Sequence, residues 1–448
     1  MTRFVPVDRE TQYLFPPSVQ EWLPDDHLAR FIVDVVEQLD LSALEQSYAG
    51  RGSDAHHPAM LVALLLYGYA TGTFSSRALE RASYDSIAVR YISANTHPDH
   101  DTINSFRKRF LKQIAEIFVQ VLCYAQVMGI LKLGTVSLDG TKLHANASRH
   151  KAMSYGYAKK LQAKLKKEVT ALLKRAEAAN ARDLPEGLNI PEELARRQQR
   201  LAAIAEAKKK IEARAKADAE AAHAARLAAR EQRAKKTGKR PGGRPPAPPT
   251  GTPSDKDQVN FTDEDSRIMP VAGGGFDQAY NAQAAVDTDS LLVVAPAVTQ
   301  ATNDKQQVVP MIKQLRALPA ELGRVKTLIA DAGYASEDNV NACAEAKIDP
   351  LLALRRDRHH RSLRERFAQA PPLPAKPTPL ETMRHRLKTR RGRRLYALRK
   401  STVEPVFGLI KRAMKFRQFS LRGMSGARGE WNLVCLAWNL KRMNALAT

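Results

Sequence analysis

The sequence predicts a mixed α/β fold with an all-helical N-terminal domain and a long helical insertion between its first two strands. Three observations predict it. Apolar residues recur at helical spacing before residue 130, apolar runs of strand length begin near Gly134 and return after Tyr280, and a tract dominated by alanine, lysine, arginine and glutamate lies between them.

At 448 residues the chain is long enough for two or three domains and a sizeable buried core. Residues 1–130 form the helical domain, with Leu28, Phe31, Ile32, Val35 and Val36 recurring three and four apart. The run "AMLVALLLYGYATG" from Ala59 is too short to span a bilayer comfortably and suits a core helix. In "PDHDTINSFRKRF", Asp101 or Thr102 offers a helix N-cap, followed by Ile103, Phe106 and Phe110 on one face. Arg107, Lys108 and Arg109 around them either meet DNA phosphates or form a solvated face.

The period changes in "GTVSLDGTKLHANAS", where a short strand ends at Asp139 before a glycine and a threonine. Residues 131–156 are therefore the first part of an α/β core. Residues 157–236 have the composition of long exposed helices, with Pro185 and Gly187 marking a bend, and 237–257 form a flexible Pro/Gly linker. The core resumes over 258–448. "YNAQAAVD" and "LLVVAPAVT" pair as a hairpin, a helix covers Gln306–Leu315, a strand ends at Asp331 in "VKTLIADAGYAS", a helix starts near Ser336, and "IDPLLAL" is a further strand.

Lysine and arginine number 71 against 47 acidic residues, a formal net charge of +24 that favours a polyanionic partner. The charge is concentrated. Between Arg355 and Lys415 there are 19 lysines and arginines and four acidic residues, so nucleic acid contact centres there, above all on Arg390, Arg391, Arg393 and Arg394. The N-terminal "MTRFVPVDRETQYLF" lacks the apolar core of a signal peptide, and a soluble, cytoplasmic protein without membrane attachment is expected. Three scattered cysteines, Cys123, Cys343 and Cys435, suggest neither a disulfide framework nor a zinc site.

Three carboxylates stand out against this basic background. Asp139 and Asp331 follow strands, and Glu404 lies on a helix whose Val403, Val406, Phe407 and Ile410 face the core, with Lys400 and Lys411 on roughly its own side. Cutting a phosphodiester requires charge relief on the attacking and leaving oxygens, which two magnesium ions about 3.5–4 Å apart provide. Magnesium prefers hard oxygen ligands, so a few carboxylates suffice to hold it, and surrounding cations then hold the DNA backbone.

Asp139 in "DGTKLHANAS", the pair "YNAQAAVD" and "VTQATNDKQQ", Asp331 in "DAGY" and Glu404 in "VEPVFGLIK" together resemble the insertion-sequence transposases with an aspartate-aspartate-glutamate (DDE) triad, and among them the InsH-like branch. The resemblance runs from near Val5 to "WNLVCLAWNLKRM" and covers the insertion and linker weakly. It implies a ribonuclease-H-like catalytic core in which Asp139, Asp331 and Glu404 hold two Mg2+ ions, with Mn2+ able to substitute. It also implies a tyrosine, an arginine and a lysine near the glutamate that bind DNA phosphates. Tyr396 and Lys411 match, while either Arg399 or Lys400 fills the arginine's place, since Arg399 lies one position further from the glutamate than the family spacing. Double-stranded DNA, as element ends and target, is the implied partner of a homodimer.

Competing readings start from the same residues. Asp331 before Gly333 suits a simple turn cap. Asn303 and Asp304 suit either a helix N-cap or support of the site, and Trp431 and Trp438, seven apart, suit the core. "SLDGT" resembles the loop of haloacid-dehalogenase-type phosphatases, but Ser137 stands where their nucleophilic aspartate belongs. A non-catalytic DNA-binding protein derived from a transposase accounts for charge and helices equally well.

Overall fold

A computed structural model describes residues 18–48, 55–179, 190–238, 242, 244, 246–271, 273–354 and 372–447. Pro185, Gly187 and the basic stretch 355–371 lie outside the described residues. The chain forms two compact units: one comprises Met1–His144 and Tyr280–Thr448, the other Ala145–Ala279.

The larger unit begins with helices α1 (Leu28–Glu37), α2 (Pro58–Thr71), α3 (Ser76–Asp85), α4 (Ile87–Ile92), α5 (His100–Arg109) and α6 (Leu111–Val127). Helix α1 buries Ile32, Val35 and Val36 of the face expected from its spacing, together with Ala29, while Leu28 and Phe31 are half-buried. Helix α2 is apolar on every side and is the buried centre of this group, stopped by Gly72 in the left-handed region at φ +87°. Among the described residues no single helix is long and apolar enough to cross a membrane.

Helix α5 corrects two expectations. Its N-cap is Asp99, whose carboxylate accepts from the Thr102 N–H at 2.8 Å, because that acid sits the capping distance before the first free amides. Arg107 is buried and faces neither DNA nor solvent: it donates to the Phe74 carbonyl at 2.9 Å and the Tyr69 hydroxyl at 3.2 Å. Tyr69 in turn donates to Glu430 at 2.7 Å, and Glu430 accepts the N–H groups of Ser420 and Leu421 at 2.8 and 2.9 Å. A buried polar chain thus ties the N-terminal helices to the C-terminal one.

Strand β1 (Leu133–His144) leads into the second unit, which holds β2 (Ala152–Ser154), helices α7 (Tyr155–Ala179) and α8 (Ile190–Thr237), β3 (Gln258–Asn260) and β4 (Arg267–Pro270). The inserted unit is therefore not wholly helical. β2 and β3 pair antiparallel, and the two helices bury Ala158, Leu165 and Ile204 between them while Arg197 pairs with Glu168 at 3.1 Å.

The sheet of the larger unit follows. β5 (Phe276–Asp287), of which residues from Tyr280 belong to this unit, is followed by β6 (Val293–Thr299), helix α9 (Val308–Ala317), β7 (Gly323–Ala330), helix α10 (Glu337–Glu345) and β8 (Asp349–Leu352). Its strand order is β6-β5-β1-β7-β8. β5 and β6 are antiparallel, as the hairpin signal predicts, whereas β1, β7 and β8 are parallel. The mixed sheet and the helical N-terminal region agree with the α/β class that the sequence predicts. Helices α11 (Pro379–Lys388), α12 (Arg390–Arg412) and α13 (Gly423–Ala447) complete the unit. Trp431 and Trp438 are core residues whose indole N–H groups donate to the carbonyls of Gln283 and Leu291.

Candidate active site

Strand pairing brings the two aspartates side by side. β1 and β7 run parallel with Leu138 opposite Ala330, so Asp139 and Asp331 are the next residues on strands about 4.8 Å apart. Apolar Val136 and Leu138 on one strand and Leu328–Ala330 on the other are buried and anchor both. Asp331 also caps a short turn, its Oδ1 accepting the Gly333 N–H at 2.8 Å. The capping reading and the site reading therefore describe the same residue.

Asp139 does not end its strand. β1 continues to His144, where backbone bonds to Arg417 and Phe419 hold it. The glycine after Asp139 makes room instead of a turn. A Cβ at Gly140 would collide with Gln283 Nε2 and lie 2.7 Å from Asp304 Oδ1.

The third acid arrives from α12. Val403, Val406, Phe407 and Ile410 are buried and press this helix onto the sheet, leaving Glu404 exposed between Val403 and Pro405. Pro405 lacks the N–H that would bond to the Ser401 carbonyl, so Glu404 stands at a break in the helical ladder. Arg399 donates to Glu404 Oε1 at 2.7 Å and to Asp139 Oδ2 at 3.4 Å. Five residues apart, Arg399 and Glu404 are separated by about 140° around an ideal helix, a gap that the long arginine side chain spans. Lys400 is exposed. Of the two candidates for the arginine's place, Arg399 is the one that faces the acids.

Charge in this cluster is strained on the acidic side. Burial pushes Asp139 up to about 6, aided by Asp331 and Asp304 and opposed by the Gly140 N–H and Arg399. Burial works against the charge on Arg399, yet Glu404, Tyr396, Asp139 and Asp331 together hold its guanidinium above the ordinary value. Lys411 donates to the Thr141 hydroxyl, and burial, with Arg417, lowers its ammonium. The remaining expected DNA contacts, Arg390, Arg391, Arg393, Arg394 and Tyr396, all lie on α12; Arg390, Arg391 and Arg394 are exposed.

A second polar layer backs the aspartates and was not expected in full from the sequence. Asp304 Oδ1 accepts from Asn281 at 2.6 Å, Gln283 at 2.7 Å and Lys142 at 3.4 Å. Asp304 is not a helix cap, since α9 starts at Val308 after Gln307. Tyr334 donates to Gln283 Oε1, and burial together with Asp304, Asp139 and Asp331 raises its hydroxyl well above the ordinary value, keeping it a donor. The signals for this layer were in "YNAQ", "TND" and "DAGY", but nothing local in those strings says that they meet.

Residues 255–440 match the family described as the transposase DDE domain, and residues 17–109 match the one described as a transposase domain (DUF772). The chain belongs to the DDE transposases of insertion sequences. It is thus an enzyme of the class that moves DNA, and its basic charge answers to a DNA partner. The DDE match contains Asp331 and Glu404 and begins beyond Asp139, which precedes the inserted unit. No curated protein and no solved structure is matched.

DDE transposases use divalent metal ions. Among the described residues no three His, Cys, Asp or Glu side chains are gathered closely enough to enclose one. The Arg399 guanidinium lies between Asp139 and Glu404 and pairs with both. Two carboxylates converging on one positive charge, beside a third on the neighbouring strand, form a hard-oxygen donor set that fits Mg2+ or Mn2+.

Proposed function

We propose that this transposase cuts DNA at the ends of its element and joins the freed 3′ hydroxyls to target DNA, with Asp139, Asp331 and Glu404 as the metal-holding catalytic acids. The observation that supports it most is the convergence of Asp139 and Glu404, 265 positions apart in the sequence, on a single cation, with Asp331 on the adjacent strand. Two divalent ions held by these acids supply charge relief at both the attacking and the leaving oxygen of an in-line displacement.

The chain's own residues do the rest. The paired strands β1 and β7 hold Asp139 and Asp331 on rigid backbone, which positions acids better than a loop does. Arg399, which pairs with Asp139 and Glu404, would be free to take a DNA phosphate if those acids held metal, and Lys411, beside Thr141, would make a second phosphate contact. Tyr396, Lys400 and the arginines at 390, 391, 393 and 394 extend the basic track along α12. Two element ends must be held together, so the active form is a homodimer assembled on DNA.

The deciding measurement is cleavage of end-containing DNA with Mg2+ or Mn2+. Asp331→Ala should lower the rate at least a thousandfold while leaving DNA affinity within about threefold. Cutting at the wild-type rate would sink the mechanism, and a wild-type chain that binds ends without cutting them would favour a non-catalytic DNA-binding role.

A further inference from the structure

The layer behind the acids forms a continuous path between the two aspartates. It begins at Tyr334, three residues after Asp331 in the turn that Asp331 caps. The Tyr334 hydroxyl donates to Gln283 Oε1, and the Gln283 amide donates to Asp304 Oδ1 at 2.7 Å and to Asn281 Oδ1 at 3.0 Å. Asp304 accepts Lys142, three residues after Asp139, at 3.4 Å. Gly140 packs so closely on Gln283 and Asp304 that no side chain fits there.

Every link in this path is directional. Gln283 is bound at both ends of its amide, so its orientation is set, and its backbone carbonyl is held by Trp431 at 2.9 Å. Gln283, Asn281 and Tyr334 are fully buried, where a broken polar link cannot be replaced by water at no cost. The path therefore joins the backbone after Asp139 to the turn after Asp331 through side chains that touch neither acid.

We propose that Tyr334, Gln283 and Asp304 are positioning residues that set the separation of Asp139 and Asp331, and with it the affinity for the catalytic metal. Outer-shell partners of this kind are typically worth about 10- to 100-fold in metal affinity or activity. The inference rests on the assignment of Asp139 and Asp331 as metal-holding acids.

The test uses full-length Tyr334→Phe, Asp304→Asn and the double variant, with two readouts: calorimetric Mn2+ binding without DNA, and the cleavage rate on end-containing DNA. Each single variant should lose about tenfold in Mn2+ affinity and cut more slowly, with DNA affinity unchanged. The double variant should be no worse than the weaker single one, because both break the same path. A folded single variant with wild-type Mn2+ affinity and cleavage rate would overturn the inference, as would independent, additive losses in the double. Circular dichroism establishes folding; should Tyr334→Phe fail to fold, Asp304→Asn decides by the same readouts. Asp331→Ala serves as the control: if it binds Mn2+ like wild type, the assignment of the acids is at fault, and the positioning role falls with it.

Discussion

Asp139 shows how one residue's setting controls its chemistry. Its folded value near 6 lies above the ordinary 3.8, so the native state binds the proton more tightly than the unfolded chain does. That contribution to stability is complete below about pH 4 and is lost as pH rises through about 6. Metal-free, DNA-free protein should therefore show a melting temperature that falls over this interval, and Asp139→Asn should flatten the fall. A metal ion competes with the same proton, so Mn2+ affinity should climb across the same pH range, as calorimetry at several pH values would reveal. Gly140→Ala is the sharpest steric test. The added methyl would overlap Gln283 and Asp304, and overpacking of this depth costs about 1–3 kcal/mol in urea unfolding. Cleavage should fall by at least tenfold alongside it. The sequence suggests a turn at Gly140; whether a glycine ends a strand or clears space for a neighbour depends on atoms more than a hundred residues away.

Helix α12 concentrates the site's third acid and most of its described cations on one element. Periodicity revealed which of its faces is buried, because Val403, Val406, Phe407 and Ile410 repeat at helical spacing. It did not distinguish Arg399 from Lys400, which differ by about 100° around the helix and by which of them finds the acids. Replacing Arg390, Arg391, Arg393 and Arg394 together with glutamine should weaken DNA binding and reduce the steepness of its salt dependence by about 0.9 for each phosphate no longer neutralised. An unchanged slope would remove this stretch from the interface. Helix α13 is anchored differently, through buried Glu430. Glu430→Ala removes the acceptor that the Ser420 and Leu421 N–H groups and the Tyr69 hydroxyl share, and should cost about 3 kcal/mol in denaturant unfolding. Arg107 sits at the far end of this chain, which is why a residue from a basic run is buried.

For the molecule as a whole, the net charge of +24 sets long-range attraction to DNA, and association with end-containing DNA should slow markedly between 50 and 200 mM salt. Sedimentation with and without end DNA should show the dimer in the DNA-bound sample.

The sequence by itself determined the class of the fold, the burial of each amphipathic face, the order of the three acids and the basic character that demands a polyanion. These are properties of local spacing and composition, legible wherever a repeat of two or 3.6 residues is sustained. Only the tertiary structure decided that β1 runs past Asp139, that Arg399 bridges two of the acids, that Arg107 is interior, and that Tyr334, Gln283 and Asp304 form one path. Each depends on contacts between distant segments, and a hydrogen bond or a steric gap between them has no period along the chain.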